Sequence, residues 1–390
     1  MKFRMTQTMR WYGPNDVVSL SDIRQAGCSG VVSALHQIPV GEVWTREAIQ
    51  ERKQMIEAHG LEWKVVESLP VHDDIKRQTG DYKRFIENYK TSIVNLAAEG
   101  IKVITYNFMP VLDWLRTHPN FTLPDGSRTL RFEKDAFVTF DVYLLKRPGA
   151  ESHYSQEELV AATTYFNKLS DDERKKLFDD MMLGLPGSDE KFTPELVLSE
   201  LAKYAHIDTQ LLKKHLSDFL NEIIPIAEKH GICFAIHPDD PPVSVLGLPR
   251  IVSTEQDLED IISFIDSPAN GLCFCSGSLG ARKDNELLKM LQRFGNQVHF
   301  LHLRNTKMDE YGNFQEAEHL NGDADMPAIV KEVLNIMDRR QLSLPMRPDH
   351  GFQMLDDLNK TTYPGYSAIG RLKALAELRG LEVGILHSMK

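Results

Sequence analysis

The sequence predicts an α/β protein built as a closed (β/α)8 barrel, the TIM-barrel architecture, with a largely helical insertion after the fourth strand. Eight short β-rich runs recur along the 390 residues, and most are followed by a helical pattern. Eight parallel strands with intervening helices are what a closed barrel requires. Several runs are almost continuously apolar, which is typical of strands covered on both faces. Neither G-x-G-x-x-G nor G-x-x-x-x-G-K-S/T follows a run, so the alternative of an open nucleotide-binding sheet lacks its signature.

The predicted strands and helices follow one another along the whole chain. The eight strands begin at Met5, Gly30, Leu61, Lys102, Ile232, Gly271, Val298 and Leu344. An amphipathic helix is predicted from Asp81, with its C-terminal end at Gly100, because glycine adopts the left-handed conformation that closes a helix. A second helix is predicted to start with a capping box formed by Ser253 and Gln256.

The stretch between Val111 and about His206 breaks this alternation. It is charged, contains several prolines and includes a helical run near Gln156 to Met182. A connection of this length is uncommon between a strand and its helix, and it lies on the face where barrel active sites form. We therefore expect residues 1–390 to form a single TIM-barrel catalytic domain whose insertion, about 111–206, serves as a lid or an oligomer contact. A homo-oligomer, a dimer or larger, is expected.

Composition and charge narrow the class of protein and its partners. There are 45 lysines and arginines against 56 aspartates and glutamates, so the formal net charge is −11. Such a chain repels phosphate backbones and anionic lipid, which argues against a nucleic-acid or membrane partner. The four cysteines do not form a disulfide framework, and the N-terminus lacks the apolar core of a signal peptide. We expect a cytoplasmic protein.

Two imidazoles, one thiol and one carboxylate stand at the ends of predicted strands five to eight. They are His237, Cys275, His302 and Asp349. Strand C-termini of a parallel barrel surround one opening, so these side chains are expected to converge there as a nitrogen, sulfur and oxygen metal site. Cys275 is favoured over Cys273 because it lies nearer the active face. An active-site metal needs free positions for substrate, which favours Mn²⁺ or Fe²⁺ over a closed zinc site, with Co²⁺ or Ni²⁺ as substitutes in vitro.

Two further side chains near this opening can handle protons. His350 follows Asp349 directly and is a candidate general acid or base. Tyr366 follows strand eight, where Pro364 and Gly365 can form a turn that holds the phenol over the site. The polar, helix-poor segment 316–322 is a candidate second active-site loop.

Candidate substrate-binding residues surround the same opening. Arg304 on strand seven and Arg347 on strand eight suit a carboxylate, because a guanidinium offers a two-pronged donor. Asn305 follows Arg304. At the ends of strands one and four, Trp11 and Asn107 belong to aromatic clusters that can form a substrate wall. An acidic chain with local arginines and a divalent cation indicates a small anionic substrate.

The motifs that carry these residues resemble the mannonate dehydratase family of the metal-dependent, xylose-isomerase-like barrel type. In chain order they are RWYG, HPDDPP, CFCSGSLG, HLRN, EAEHLNGDADM, RPDHG and PGY, and they span nearly the whole chain. The resemblance implies that the four strand-end side chains named above are metal ligands. It also places the family's catalytic histidine and tyrosine on His350 and Tyr366.

The activity implied by the resemblance is loss of water from D-mannonate to give 2-dehydro-3-deoxy-D-gluconate, a step in hexuronate (glucuronate) breakdown. Loss of the C2 proton places charge beside a carboxylate that is already ionised, and a bound divalent cation would stabilise that charge. Tyr366 is provisionally assigned to the C2 proton and His350 to the departing C3 hydroxyl, but the order can also be the reverse.

Three other functions compete with this one. A sugar isomerase on the same architecture also uses a divalent metal, but a thiolate ligand and one visible aspartate argue against it. A metal-dependent nuclease of similar fold conflicts with the net charge of −11. A non-catalytic metal-binding or sugar-sensing protein would not need two proton-handling groups beside an open metal position.

Overall fold

The barrel is closed by eight parallel strands. In the computed structural model, which describes residues 3–183 and 193–389, twelve strands are numbered β1–β12 in chain order, and the barrel order is β1-β12-β9-β8-β7-β4-β3-β2. The barrel strands are β1 Thr6–Arg10, β2 Gly30–Ser33, β3 Glu62–Val66, β4 Val103–Tyr106, β7 Cys233–Ile236, β8 Leu272–Cys275, β9 Val298–Leu303 and β12 Pro345–Pro348. Each lies within one predicted run, so the predicted fold class is confirmed.

Helices cover the outside of the barrel, and others make up most of the insertion. Those around the barrel are α1 Leu20–Gln25, α2 Arg46–Glu57, α3 Asp73–Arg77, α4 Tyr82–Ala98, α9 Thr209–Lys229, α10 Glu255–Ser263, α11 Ser276–Gly280, α12 Leu287–Phe294, α13 Met326–Arg340 and α14 Ala368–Ser388. The insertion carries α5 Lys134–Thr139, α6 Gln156–Lys168, α7 Asp171–Met181 and α8 Pro194–Ala202. A π-helical turn spans Phe140–Leu144, and 3₁₀ turns span Ala150–His153 and Leu355–Asn359. None of the helices in the described ranges has the length and apolar character needed to cross a membrane.

The insertion begins with a β-hairpin that the sequence analysis did not predict. Strands β5 (His118–Thr122) and β6 (Arg128–Phe132) pair with β10 (Thr306–Met308) and β11 (Phe314–Glu316) in an antiparallel sheet of order β10-β11-β6-β5. An Asp-Gly pair, the usual signal of a tight hairpin turn, lies between β5 and β6. Backbone hydrogen bonds in both directions also join Arg128 to Gln353. The hairpin thus connects the loop after β9 with the loop after β12.

Two helix ends test the predicted boundaries. Gly100 has φ +84° and donates its N–H to the carbonyl of Ala97, so α4 ends as predicted. The predicted capping box of α10 is wrong by one residue, because the box is formed by Thr254 and Asp257. Ser253 instead donates its hydroxyl to Oδ2 of Asp239 at 2.8 Å, and a charged carboxylate three residues after Thr254 completes the box.

The barrel interior is filled in layers that alternate along each strand. Its apolar layer is formed by Val32, Val65, Ala235, Cys273 and Phe300, with Val103 packed against them. Successive inward positions are two residues apart in a strand. The next inward positions on β3, β7, β8 and β9 therefore hold Glu67, His237, Cys275 and His302. The core thus places polar side chains at the C-terminal opening of the barrel.

Candidate active site

Four side chains from neighbouring strands meet at the C-terminal opening. His237, Cys275, His302 and Asp349 each offer one potential ligand atom, and these atoms lie within 4.8 Å of one another. Nε2 of His237 is 3.1 Å from Nδ1 of His302, and Sγ of Cys275 is 3.6 Å from Oδ2 of Asp349. His237 is half-buried and the other three are buried. The structure thus brings together the four residues that the sequence analysis selected as metal ligands.

Neighbouring groups orient the two imidazoles for a cation. Nδ1 of His237 is 2.7 Å from the carbonyl oxygen of Pro238, which fixes the proton on Nδ1 and leaves a lone pair on Nε2. Nε2 of His302 lies 3.4 Å from the carboxylate of Glu67 and 3.1 Å from Nε of Arg347. When Nε2 carries the ring proton and donates it to Glu67, the lone pair is on Nδ1, the nitrogen that faces His237.

The two cysteines of β8 have different surroundings. Cys275 precedes α11 directly. Its sulfur accepts a hydrogen bond from the backbone N–H of Ser278 at 3.4 Å and lies 3.2 Å from the Ser278 hydroxyl. Two polar groups of Ser278 thus contact the Cys275 sulfur. Cys273 lies in the apolar layer of the barrel, where burial raises the pKa of its thiol well above the usual value. Cys275 is the cysteine that belongs to the four-residue cluster, and its role as a metal ligand stays a prediction.

Glu67 is a site residue that the sequence analysis missed. It follows β3 directly and binds Arg347 through both oxygens at 2.7 and 2.9 Å, Arg10 at 3.1 Å and the His302 ring at 3.4 Å. Burial would raise the pKa of Glu67, but Arg347, His302 and Arg10 together hold it well below its usual range. The sequence signal that could have found Glu67 is its position at a strand end, two residues after the inward-facing Val65.

The two predicted proton-handling residues lie beside each other. The rings of His350 and Tyr366 are 5.2 Å apart and perpendicular. Nδ1 of His350 is 3.1 Å from Oε1 of Glu316, and Nε2 is 3.8 Å from Oδ1 of Asp349. Tyr366 is buried, and burial raises its pKa even though Arg347 opposes the shift.

The turn before Tyr366 packs directly on the histidine. Gly365 has φ +81°, and a Cβ at this position would lie 3.1 Å from Cδ2 of His350 and 2.9 Å from Cδ1 of Leu130. Only glycine combines that backbone conformation with so close an approach. The predicted turn therefore sets the distance between the two rings.

A buried network of charges lies next to His350. Arg304 binds both oxygens of Glu316 at 2.6 and 2.7 Å, and its Nη1 is 2.8 Å from Asp240. Arg116, from the insertion, binds Asp240 at 2.9 Å and lies 3.7 Å from Glu316. Burial would raise the pKa of Glu316, but Arg304, His350 and Arg116 lower it to about 2. Protein carboxylates occupy both edges of Arg304, so its contact with substrate stays a prediction.

The other predicted substrate contacts fall into three environments. Arg347 binds Asp349 at 2.7 Å in addition to Glu67. Asn305 is buried, and its amide is fully used within the segment 305–324. Trp11 packs in the main apolar core, with the guanidinium of Arg52 5.2 Å from its ring. For these three residues a substrate contact stays a prediction.

Asn107 differs because one of its polar atoms has no partner. Its Oδ1 is buried without a hydrogen bond among the described residues, as are Nε2 of His36 and Nε of Arg10. Asn107 follows Tyr106, whose carbonyl accepts the backbone N–H of His237 at 3.0 Å, so it stands beside the cluster. These three atoms share the property of being buried without a hydrogen bond to the described part of the protein.

Comparisons with known proteins agree with this site. A family model described as D-mannonate dehydratase (UxuA) matches residues 5–390. The chain is 52% identical over 391 residues to the mannonate dehydratase of Marinomonas sp. (strain MWYL1), which covers 99% of this chain and 100% of that protein. The crystal structure of mannonate dehydratase from Streptococcus suis serotype 2 has a TM-score of 0.79 at 34% identity, covering 99% of this chain and 95% of that one.

A more distant structure shares the fold alone. A xylose isomerase domain protein from Planctomyces limnophilus has a TM-score of 0.50 at 12% identity and covers 98% of this chain and 97% of that one. The resemblance inferred from the sequence motifs is thus confirmed at the level of the family and of the barrel type. The chain belongs to the D-mannonate dehydratase (UxuA) family.

Proposed function

We propose that this chain is a metal-dependent hydro-lyase that removes water from D-mannonate to give 2-dehydro-3-deoxy-D-gluconate, a step in hexuronate breakdown. The observation that carries the proposal is the cluster at the barrel opening, whose four ligand atoms lie within 4.8 Å of one another. Two proton-handling side chains, His350 and Tyr366, stand beside it. The two mannonate dehydratases named above match this chain over 100% and 95% of their own lengths.

The residues of the cluster fit a divalent cation. His237, Cys275, His302 and Asp349 supply two neutral nitrogens, one thiolate and one carboxylate, whose two negative charges balance the cation. We propose Mn²⁺ or Fe²⁺, which accept this mixed set together with further oxygen ligands from a substrate. When bound there, such a cation supplies Lewis-acid stabilisation of the negative charge that develops on an aldonate as its C2 proton leaves.

We assign the C2 proton to His350 and the C3 hydroxyl to Tyr366, the reverse of the provisional order. Glu316 is an acceptor for Nδ1–H of His350, which leaves Nε2 free to take a proton. The C2–H bond then breaks with transfer of its proton to Nε2. The C3–O bond breaks next, and the phenol of Tyr366 gives its proton to the leaving hydroxide, which departs as water. The resulting enol tautomerises to the 2-keto acid.

The hydroxyl-rich end of the substrate is proposed to lie against β1, β2 and β4. The unpaired polar atoms of Arg10, His36 and Asn107 are on this side. Tyr12 connects them to the catalytic pair, because its ring is 5.8 Å from His36 and 5.1 Å from Tyr366. A sugar acid supplies both donors and acceptors to such atoms. Of the predicted substrate contacts, this arrangement uses Asn107.

The insertion is proposed to act as a cover of the barrel opening. It carries Arg116 into the buried charge network, and its hairpin pairs with β11 and with Gln353. We retain a homo-oligomer as the proposed assembly. We also retain the cytoplasm as the proposed location, since the four cysteines are free thiols and suit a reducing compartment.

The test is product analysis with defined metals. Protein stripped with a chelator is incubated without oxygen with D-mannonate, alone or with Mn²⁺ or Fe²⁺, and the 2-keto-3-deoxy acid is quantified. The expected result is product only with added metal. The double variant His350→Asn, Tyr366→Phe controls for contaminating enzymes. If folded, metal-loaded protein makes no product, the proposed reaction is wrong, and a panel of aldoses then tests the isomerase alternative.

In the same assay, hydrogen exchange separates the two proton roles. Substrate recovered from D₂O is analysed for deuterium at C2. Tyr366→Phe is expected to lose product formation by about 100-fold, the usual scale of acid–base assistance, while it still exchanges the C2 hydrogen. Exchange that survives in His350→Asn but disappears in Tyr366→Phe would restore the opposite order.

A further inference from the structure

Glu316 is placed so that one carboxylate contacts the catalytic histidine and the arginines of the charge network. It ends β11, and its side chain is 4% exposed. Oε1 lies 3.1 Å from Nδ1 of His350 and accepts from Nη2 of Arg304 at 2.7 Å, while Oε2 accepts from Nε of Arg304 at 2.6 Å. Because the side chain is buried, the carboxylate depends on such protein groups for its hydrogen bonds.

The two nitrogens of His350 face different carboxylates. Glu316 stands at Nδ1 and Asp349 at Nε2, the latter at 3.8 Å. Asp349 belongs to the proposed metal cluster, so its charge is used there. An ionised carboxylate only accepts hydrogen bonds, and it therefore keeps the proton of the imidazole on Nδ1. Glu316 is thus the group that can fix both the tautomer and the ring orientation of His350.

The arginines hold Glu316 in this place. A two-pronged guanidinium contact fixes the plane of a carboxylate as well as its distance. Arg116 adds a second positive charge 3.7 Å from Oε1, and its own position is set by Asp240 at 2.7 and 2.9 Å. Arg116 belongs to the insertion, whereas Arg304 follows β9. The carboxylate is therefore anchored from two separate parts of the chain.

We propose that Glu316 is a positioning residue for the dehydration: it orients His350 through Nδ1 so that Nε2 faces the substrate carbon that loses its proton. Arg304 and Arg116 act on the reaction through Glu316, and through Arg116 the insertion takes part in holding the base. This inference rests on the proposed function, because it needs His350 to be a proton acceptor.

The first test is Glu316→Gln, compared with Asp240→Asn as a matched control. Each change removes one buried negative charge that faces Arg304 and Arg116. Of the two carboxylates, Glu316 is the one that makes a hydrogen bond with His350. We expect kcat of Glu316→Gln to fall by about 10- to 100-fold, the range seen when a partner that orients an active histidine is lost. KM and bound metal per chain should stay within about twofold. Asp240→Asn should lose less kcat than Glu316→Gln.

A double-mutant cycle then asks whether Glu316 acts through His350. In the His350→Asn background, Glu316→Gln should change kcat by less than about twofold, because the group that it orients is gone. A full, multiplicative further loss in this background would overturn the proposal, as would wild-type kcat in Glu316→Gln or an equal loss in Asp240→Asn. If Glu316→Gln does not fold, Glu316→Asp replaces it, since the shorter side chain keeps the charge but withdraws from Nδ1.

The two proposals fail in different ways. If wild-type protein with metal does not convert D-mannonate, the proposed function is wrong. If wild-type protein converts it and the cycle shows no coupling, only the role of Glu316 is wrong.

Discussion

Asn305→Ala is expected to destabilise the protein rather than to weaken substrate binding. The side-chain amide donates to the carbonyls of His319 and Ala324 at 3.1 and 3.0 Å. It accepts the backbone N–H groups of Thr306 and Ala324 at 3.1 and 2.9 Å. A Cβ on Gly322 would lie 2.2 Å from Oδ1 of Asn305, so the loop backbone packs directly on the amide. Three of these hydrogen bonds hold the loop that follows β11, and the fourth holds the first residue of β10.

The size of the effect follows from these four hydrogen bonds. A hydrogen bond of this kind contributes about 0.5–1.5 kcal/mol net, and a buried group that loses its partner costs at least as much. Alanine removes both the amide donor and the amide acceptor of Asn305. The backbone groups that lose these partners can form some hydrogen bonds with water, which reduces the cost. We therefore expect the free energy of unfolding to fall by about 3 kcal/mol.

The assay is urea unfolding followed by far-UV circular dichroism, together with steady-state kinetics on D-mannonate. The midpoint should fall at unchanged m-value, and KM of the folded variant should stay within about twofold of wild type. Asn221→Ala is the control, because Asn221 is exposed on α9 and donates to one carbonyl; it should change stability by less than about 0.5 kcal/mol. An Asn305→Ala variant of wild-type stability with KM raised about tenfold or more would refute this reasoning and establish the substrate contact expected from the sequence.

Three more predictions concern other parts of the molecule. Burial and Arg340 lower the pKa of His299 from 6.5 to about 4. The neutral ring therefore stabilises the fold above pH 6.5, and this contribution is lost as the pH falls toward 4. Between pH 7 and pH 5, the free energy of unfolding measured with urea should fall by about 2 kcal/mol less in metal-free His299→Gln than in metal-free wild type. Cys275→Ser should weaken Mn²⁺ or Fe²⁺ binding by about 100-fold or more, whereas Cys273→Ala should keep full metal, as measured by metal analysis after dialysis. His36→Ala should raise KM for D-mannonate roughly fivefold with little change in kcat, in line with loss of one hydrogen bond to the substrate; unchanged KM would remove His36 from the substrate site.

The barrel and the four clustered side chains could be predicted because both follow from local patterns. Continuous apolar runs identify strands, and the closure of a barrel brings the ends of distant strands together whatever lies between them. Cys275 ends β8, His302 is one residue before the end of β9, and His237 and Asp349 directly follow β7 and β12. The number of strands and the two-residue period of inward-facing side chains were therefore enough to predict that these four residues converge.

Other site residues could not be predicted, because their partners come from unrelated parts of the chain. Glu67 directly follows β3, but its interaction with Arg347 spans 280 residues and exists only once the barrel has closed. Glu316 and Arg116 meet because the unpredicted hairpin pairs with β11. The position of Asn305 just after β9 predicts a polar group near the opening. The sequence could not reveal that the backbone of β10 and of the loop after β11 uses every donor and acceptor of that amide.

The most direct test of the account is metal titration with activity measured at each step. Stripped protein receives increasing Mn²⁺ or Fe²⁺ without oxygen, and bound metal per chain and the rate of 2-keto-3-deoxy acid formation from D-mannonate are measured on the same samples. The account predicts a rate that rises in proportion to occupancy and levels off at about one metal per chain, the capacity of a single four-ligand cluster. Product formation at zero occupancy, or a fully occupied site without product, would contradict it.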